Sequence, residues 1–132
     1  MVDPKYYNYA VEQMDRAIRE KRKYNGYKDK ADRRCFYTGI SCADRHEVYG
    51  GPANRKISMR HGFQVDLLSE KHAALHSNKS VWAREENRKW RETYQRAYMD
   101  RLMTEGKINE DDALELWMNL IGRNYLEECD PL

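Results

Sequence analysis

Residues 45–76 read RHEVYGGPANRKISMRHGFQVDLLSEKHAALH. Two short strand candidates lie inside this segment, Arg45 to Tyr49 and Phe63 to Leu68. In the second, Phe63, Val65 and Leu67 alternate against Gln64 and Asp66, the period of two expected of a half-buried strand. Gly50-Gly51-Pro52 stops the first. Between them, Ala53-Asn54-Arg55-Lys56-Ile57-Ser58-Met59-Arg60 reads as a polar loop rich in phosphate-binding side chains. Ser69 is placed to cap a short helix carrying Glu70, His72 and His76. The expected order is strand, loop, strand, helix.

Outward from this segment the pattern is helical. Upstream, Cys35-Phe36-Tyr37-Thr38-Gly39 reads as a tight aromatic turn. Asp3-Pro4 is a helix start, and Tyr7, Val11, Met14 and Ile18 mark one apolar face of a helix running to about Lys23, where Asn25-Gly26 breaks it. Its polar face carries Arg16, Arg19, Arg22 and Lys23. Downstream, a long helix is expected from Val81 to about Thr104, with Trp82, Trp90, Tyr94, Ala97, Tyr98 and Leu102 on its buried side and Gly106 as its stop. Asn109 caps a last helix whose first turn is acidic and whose apolar face is Ala113, Leu114, Trp117, Met118 and Ile121, ended by Gly122. The expectation is an α+β fold: a small ββα core set among three or four helices, with the C-terminal hairpin packed against the N-terminal helix. The segments are 1–34 (basic helix and linker), 35–80 (ββα core) and 81–132 (helical hairpin), all in one globular unit.

Composition fits one small core under a charged surface. The chain has 132 residues, 40% hydrophobic and 35% charged. Ten tyrosines and three tryptophans argue against disorder. No apolar run approaches the ~20 residues of a membrane span, and no basic-then-apolar leader opens the chain, so a cytoplasmic protein is expected. Cys35, Cys42 and Cys129 make neither an even disulfide set nor a CxxC pair. The net charge of +2 hides an asymmetry. Residues 16–34 hold nine Lys/Arg against three acids, and residues 105–132 hold eight acids against two bases. A basic stretch is what a phosphate backbone selects, although it also describes a solvated helix face.

The histidines carry the chemistry. His72 and His76 lie four apart, so both occupy one face of the short helix, a spacing that can hold a divalent ion. His46 or Glu47 on the neighbouring strand would supply a third ligand, and Glu47 or His46 a general base for metal-assisted phosphodiester cleavage. Imidazole ligands do not choose among zinc, manganese and nickel; magnesium would want more carboxylates. Asn54, Arg55, Lys56 and Arg60 form a candidate phosphate clamp. Ordinary alternatives stand beside each: half-buried histidines, Glu47 paired to Arg45 or Arg55, a solvated loop, tryptophans that only build core. His61 is expected to face solvent.

Several motifs in order resemble a phage and prophage HNH-type protein family. They are Cys35-Phe36-Tyr37-Thr38-Gly39, Arg45-His46-Glu47-Val48-Tyr49-Gly50-Gly51, Ala53-Asn54-Arg55-Lys56 with Ser58, Gly62-Phe63, Val65-Asp66-Leu67, His72, His76 with Asn78, and Ile121-Gly122-Arg123-Asn124-Tyr125-Leu126. The resemblance spans roughly residues 33–126. It implies a ββα-metal, HNH-like core and divalent-metal-dependent DNA cleavage. His46 and His72 then match metal-binding histidines and Glu47 the general base; Asn54 and His76 match motif positions. The family's structural zinc would use four cysteines, and here the four positions are Cys35, Thr38, Leu68 and Lys71, so no four-cysteine zinc is expected. Loss of that zinc leaves two functional readings. One is an HNH-like protein that binds DNA and cuts it. The other is a catalytically silent phage anti-defence inhibitor of the anti-CRISPR type, which binds a host defence effector protein and whose acidic segments, Glu110 to Glu115 and Glu127-Glu128, imitate nucleic acid.

Overall fold

The structure is a computed structural model and describes residues 2–21 and 27–126. Cys129, Glu127-Glu128, Arg22, Lys23 and the Asn25-Gly26 break lie outside the described residues. Helix α1 spans Pro4–Glu20, a 3-10 segment Tyr27–Asp32, strand β1 Asp44–Glu47, helix α2 Pro52–His61, strand β2 Gln64–Leu67, and helices α3, α4 and α5 Ser69–Ser77, Val81–Glu105 and Glu110–Leu120. The described residues are therefore mostly helical, with one small antiparallel sheet of β1 and β2. None of these helices is long and apolar enough to cross a membrane.

Helix α1 starts as expected: the Asp3 side chain accepts from the Lys5 amide at 2.8 Å, and Pro4 takes the first turn. It ends earlier than expected, at Glu20, with Lys21 in the left-handed region. Its buried face is Tyr6, Ala10, Gln13, Met14 and Ala17, rotated from the expected stripe, and Ile18 is 65% exposed. The rotation follows from size. Ala17 lets α1 approach the backbone at Gly62 closely: a Cβ built on Gly62 would lie 2.4 Å from the Gln13 carbonyl oxygen and 2.7 Å from the Ala17 Cβ. Larger residues on that face would hold the two segments apart.

The segment read as a polar loop is helix α2. It has no apolar stripe; its only buried residue is Ser58. Its ends define it instead: Gly51 at φ +91° as N-cap, Pro52 in the first turn, and Gly62 at φ +76° as C-cap. Ser58 clips it to the chain after β1, accepting from the Tyr49 amide at 3.1 Å and donating to the Tyr49 carbonyl at 3.0 Å.

Strand β1 begins one residue before the expected start and ends two residues before the expected end, β2 is one residue shorter at each end, and the register pairs Asp44 with Leu67, Arg45 with Asp66, His46 with Val65 and Glu47 with Gln64. Every residue of β2 is buried, including Gln64 and Asp66, so the expected polar-out face is covered. Those polar groups are satisfied there. Arg45 Nε meets Asp66 at 3.3 Å across the ladder, and Gln64 Nε2 donates to Glu47 at 3.4 Å. Helix α3 begins at Ser69 with Leu68 as a cap that gives no side-chain bond, so Ser69 is not the cap expected.

Helix α4 is the spine. Ser80 caps it, accepting from the Ala83 amide at 3.0 Å. Trp90 is fully buried among Tyr6, Tyr9 and Phe36, with ring centroids 4.6–5.6 Å away. Trp117 on α5 is the second centre, against Tyr49, Phe63 and Tyr98. Each such pair contributes about 0.5–1.5 kcal/mol beyond area burial. Trp82 and Met118, expected in the core, are 37% and 38% exposed. The α4–α5 hairpin packs against α1 through α4, where Tyr6 donates to Glu86 at 2.7 Å and Tyr7 to Asp100 at 2.8 Å.

Candidate metal centre

Side chains on a strand alternate between faces, so residues 44 and 46 share one side of β1 and residues 45 and 47 the other. His46 lies on the side covered by α3, where His72 and His76 sit one helical turn apart. The three imidazoles converge: ring centroids are 5.2 Å apart for His46–His72, 5.6 Å for His46–His76 and 4.9 Å for His72–His76. One nitrogen of each lies within 4.8 Å of the others, and the group could hold a metal ion. His46 is buried, His72 half-buried and His76 exposed, so the cluster opens to solvent on one side.

The electrostatics of His46 suit a ligand. Burial, reinforced by the positive potential of His72, His76 and Arg91, pushes its pKa down to about 3. It is a neutral imidazole at neutral pH, so a cation need not displace a proton from it. Its Nδ1 is buried and has no hydrogen-bond partner among the described residues. An unmet buried polar nitrogen costs about 1–3 kcal/mol.

Asp44 was not singled out from the sequence. Its carboxylate meets His72 Nδ1 at 3.1 Å and is itself held by Lys30 Nζ at 2.8 Å. That contact fixes the His72 ring and leaves its Nε2 for a ligand, the usual way a carboxylate orients a metal-binding histidine. The Lys30 bond, partly offset by burial and helped by His72, holds the Asp44 carboxyl below its usual range. The signal was present in the spacing: Asp44 lies two residues before His46 and so shares its face.

Glu47, on the other side of the strand, is not part of the histidine group. Arg55 Nε lies 3.2 Å from its carboxylate, and Gln64 also donates to it, matching the Arg55 pairing weighed from the sequence. Asn54 donates to the Ile121 carbonyl at 3.1 Å, which ties α2 to the end of α5. Arg55, Lys56 and Arg60 are exposed along α2. His61 does not simply face solvent. It is half-buried and stacks on Phe63 at 5.3 Å with rings 15° apart, and burial, aided by Arg60, lowers its pKa.

The four positions that the resemblance assigns to a structural zinc do not suit that ion. Burial raises the Cys35 thiol, but hydrogen bonds from the Thr38 hydroxyl and from the Leu68, Thr38 and Tyr37 backbones outweigh it and lower its pKa. Lys71 lies over the rings of Tyr37 and Trp82, at 5.6 and 5.2 Å. One thiol, one hydroxyl, one alkyl group and one ammonium are not a zinc donor set. Cys42 is exposed, and both it and Cys35 are free thiols. No known family pattern, curated protein or solved structure matches the chain.

Proposed function

We propose that this chain is an HNH-like, divalent-metal-binding protein that engages DNA, with metal-dependent phosphodiester cleavage as its reaction. The observation that carries the reading is the convergence of His46, His72 and His76, with a buried, unpartnered nitrogen on His46. The placement of one histidine on the first strand and two on the helix that follows the second strand supports it, since that is the order the resemblance implies. When bound, a divalent ion would neutralise phosphate charge and make a coordinated water more acidic. The chain's own residues do the rest. His46 supplies an uncharged ligand from the core, Asp44 orients His72, and exposed Arg55, Lys56 and Arg60 offer phosphate contacts along α2. Glu47, the base that the resemblance implies, is held by Arg55 on the side of β1 away from His46. It would have to act through water reaching around the strand, or after Arg55 turns to a phosphate.

The test is incubation of supercoiled plasmid and single-stranded DNA with magnesium, manganese, nickel or zinc. Nicking by the wild type that disappears in His72→Ala supports the reading, and further loss in a folded Glu47→Ala assigns the base. Lys56→Gln and Arg60→Gln should each reduce the salt dependence of DNA affinity by about one unit of log–log slope. A folded wild type that neither binds nor cuts DNA with any of these ions overturns it. The alternative, a catalytically silent inhibitor of a host defence effector, draws support from the exposed Val81 and Trp82 at the start of α4. It predicts capture of that effector by the wild type and loss of capture in Trp82→Ala.

A further inference from the structure

We propose that the aromatic surface of Phe36, Tyr37 and Trp82, rimmed by Lys5, Lys71 and Lys89, binds an unpaired DNA strand, with bases stacked on the rings and phosphates on the ammonium groups. The proposal rests on the reading above that the chain engages DNA, names the form of DNA it takes, and requires no metal ion.

Four separate parts of the chain build this surface. Helix α1 brings Lys5, the aromatic turn after Cys35 brings Phe36 and Tyr37, α3 brings Lys71, and α4 brings Trp82 and Lys89. The rings form an unbroken run: centroids are 5.4 Å apart for Trp82–Tyr37, 5.1 Å for Tyr37–Phe36 and 4.9 Å for Phe36–Tyr6. The run is anchored from the core side. The Phe36 amide donates to the Asp66 carbonyl on β2 at 2.8 Å. The Tyr37 hydroxyl donates to buried Glu86 and accepts from Trp90 Nε1, both at 2.8 Å. Rings fixed in this way lose little freedom when they take up a ligand. At the outer end Trp82 is exposed, whereas Trp90 and Trp117 are buried.

Each lysine lies over a ring. Lys5 Nζ is 5.0 Å from the Phe36 centroid, Lys71 Nζ is 5.6 Å from that of Tyr37 and 5.2 Å from that of Trp82, and Lys89 Nζ is 4.6 Å from that of Tyr6. Lys89 also meets Glu86 at 3.4 Å, and the other Glu86 oxygen accepts from Tyr6 and Tyr37, so that carboxylate is paired. Lys5 and Lys71 meet no carboxylate among the described residues. A cation resting on an exposed ring is weakly held. It can turn to a phosphate, and the ring it leaves can take a base, whose π-face suits it whatever the sequence. The two parts of a nucleotide thus match the two parts of the surface. A duplex offers phosphates alone, because its base faces are already stacked. An apolar protein segment would match the rings and bury the ammonium groups unpaired. Lys71 precedes His72 on α3, so this surface and the histidine cluster share a helix.

The experiment uses the full chain with a chelator present, so that no strand is cut, and a labelled oligothymidylate offered alone or annealed to its complement. Fluorescence anisotropy gives the affinity, and tryptophan emission reports on Trp82, the exposed tryptophan among the described residues. The wild type should prefer the single strand, and its emission should be quenched as the strand binds. Trp82→Leu should lose about tenfold in single-strand affinity with duplex affinity unchanged. Trp82→Phe, which keeps a ring, should recover most of that loss. Lys71→Gln should lower single-strand affinity and reduce its log–log salt slope by about 0.7. Circular dichroism and thermal melting confirm that the variants are folded. Single-strand binding by Trp82→Leu equal to wild type, or binding with no change in emission, overturns the proposal, leaves the DNA reading standing and leaves the rings to a protein partner. A folded wild type that binds neither form of DNA removes both.

Discussion

Asp44 shows what one carboxylate two residues from a ligand does. It carries no motif of its own, yet it sets the ring of His72 and links the cluster through Lys30 to the 3-10 segment. Asp44→Asn should weaken divalent-ion binding 10- to 100-fold, the usual cost of losing such a partner. Isothermal titration of zinc into the two proteins checks this, with melting curves to show an unchanged fold. His61 gives a second residue-scale expectation. Its pKa is lowered in the folded chain, so the unfolded chain binds the proton more tightly. Its contribution to stability is therefore intact above the unfolded value of about 6.5 and is lost as the pH falls through the folded value. His61→Phe, which keeps the stack on Phe63, should show a shallower loss of stability than wild type when urea midpoints are compared from pH 7.5 to pH 5. The histidines were legible as chemistry because spacing of four on a helix puts two rings on one face. Asp44 was not, because it needed the strand alternation carried a step further.

The elements were legible where an apolar stripe or a cap marked them, and opaque where neither did. Helix α4 and helix α5 follow the expected bounds closely because Ser80 and Asn109 cap them and tryptophans stripe them. Helix α2 escaped because its sequence carries no apolar stripe and its glycine ends and a clipped serine define it. The stripe on α1 was rotated because the contact that matters is a close approach of Gly62 to Gln13 and Ala17, and alanine weighs little in an apolar count. That approach makes Gly62 the most constrained glycine among the described residues. Gly62→Ala must carry a left-handed φ, costing about 1–2 kcal/mol, and also force Gln13 and Ala17 away. Gly39 has the same φ of +76° with nothing within 4 Å. Urea denaturation should therefore show Gly39→Ala losing about 1 kcal/mol and Gly62→Ala losing about 2 kcal/mol or more.

At the scale of the whole molecule, two aromatic centres around Trp90 and Trp117 and a buried Arg33–Arg45–Asp66 group hold the sheet in place. The expected α+β class and the packing of the hairpin on α1 were readable from periodicity. That Cys35, Thr38, Leu68 and Lys71 are not a zinc donor set was readable from residue identity alone, since one thiol cannot serve as four. What composition could not convey was that the polar residues of β2 would be enclosed rather than exposed, because that depends on helices packing from both sides. The account as a whole stands on a cation joining β1 to α3. The direct measurement is calorimetric titration of zinc into wild type and into His76→Ala, where the replaced side chain is exposed and its loss leaves the core intact. The account predicts one ion per chain in the wild type and binding weakened by more than about tenfold in the variant, a direct ligand mattering at least as much as an outer partner. At a hundredfold excess over the dissociation constant the wild type should gain about 2.7 kcal/mol of stability. No saturable binding, or equal affinity in the two proteins, would contradict it.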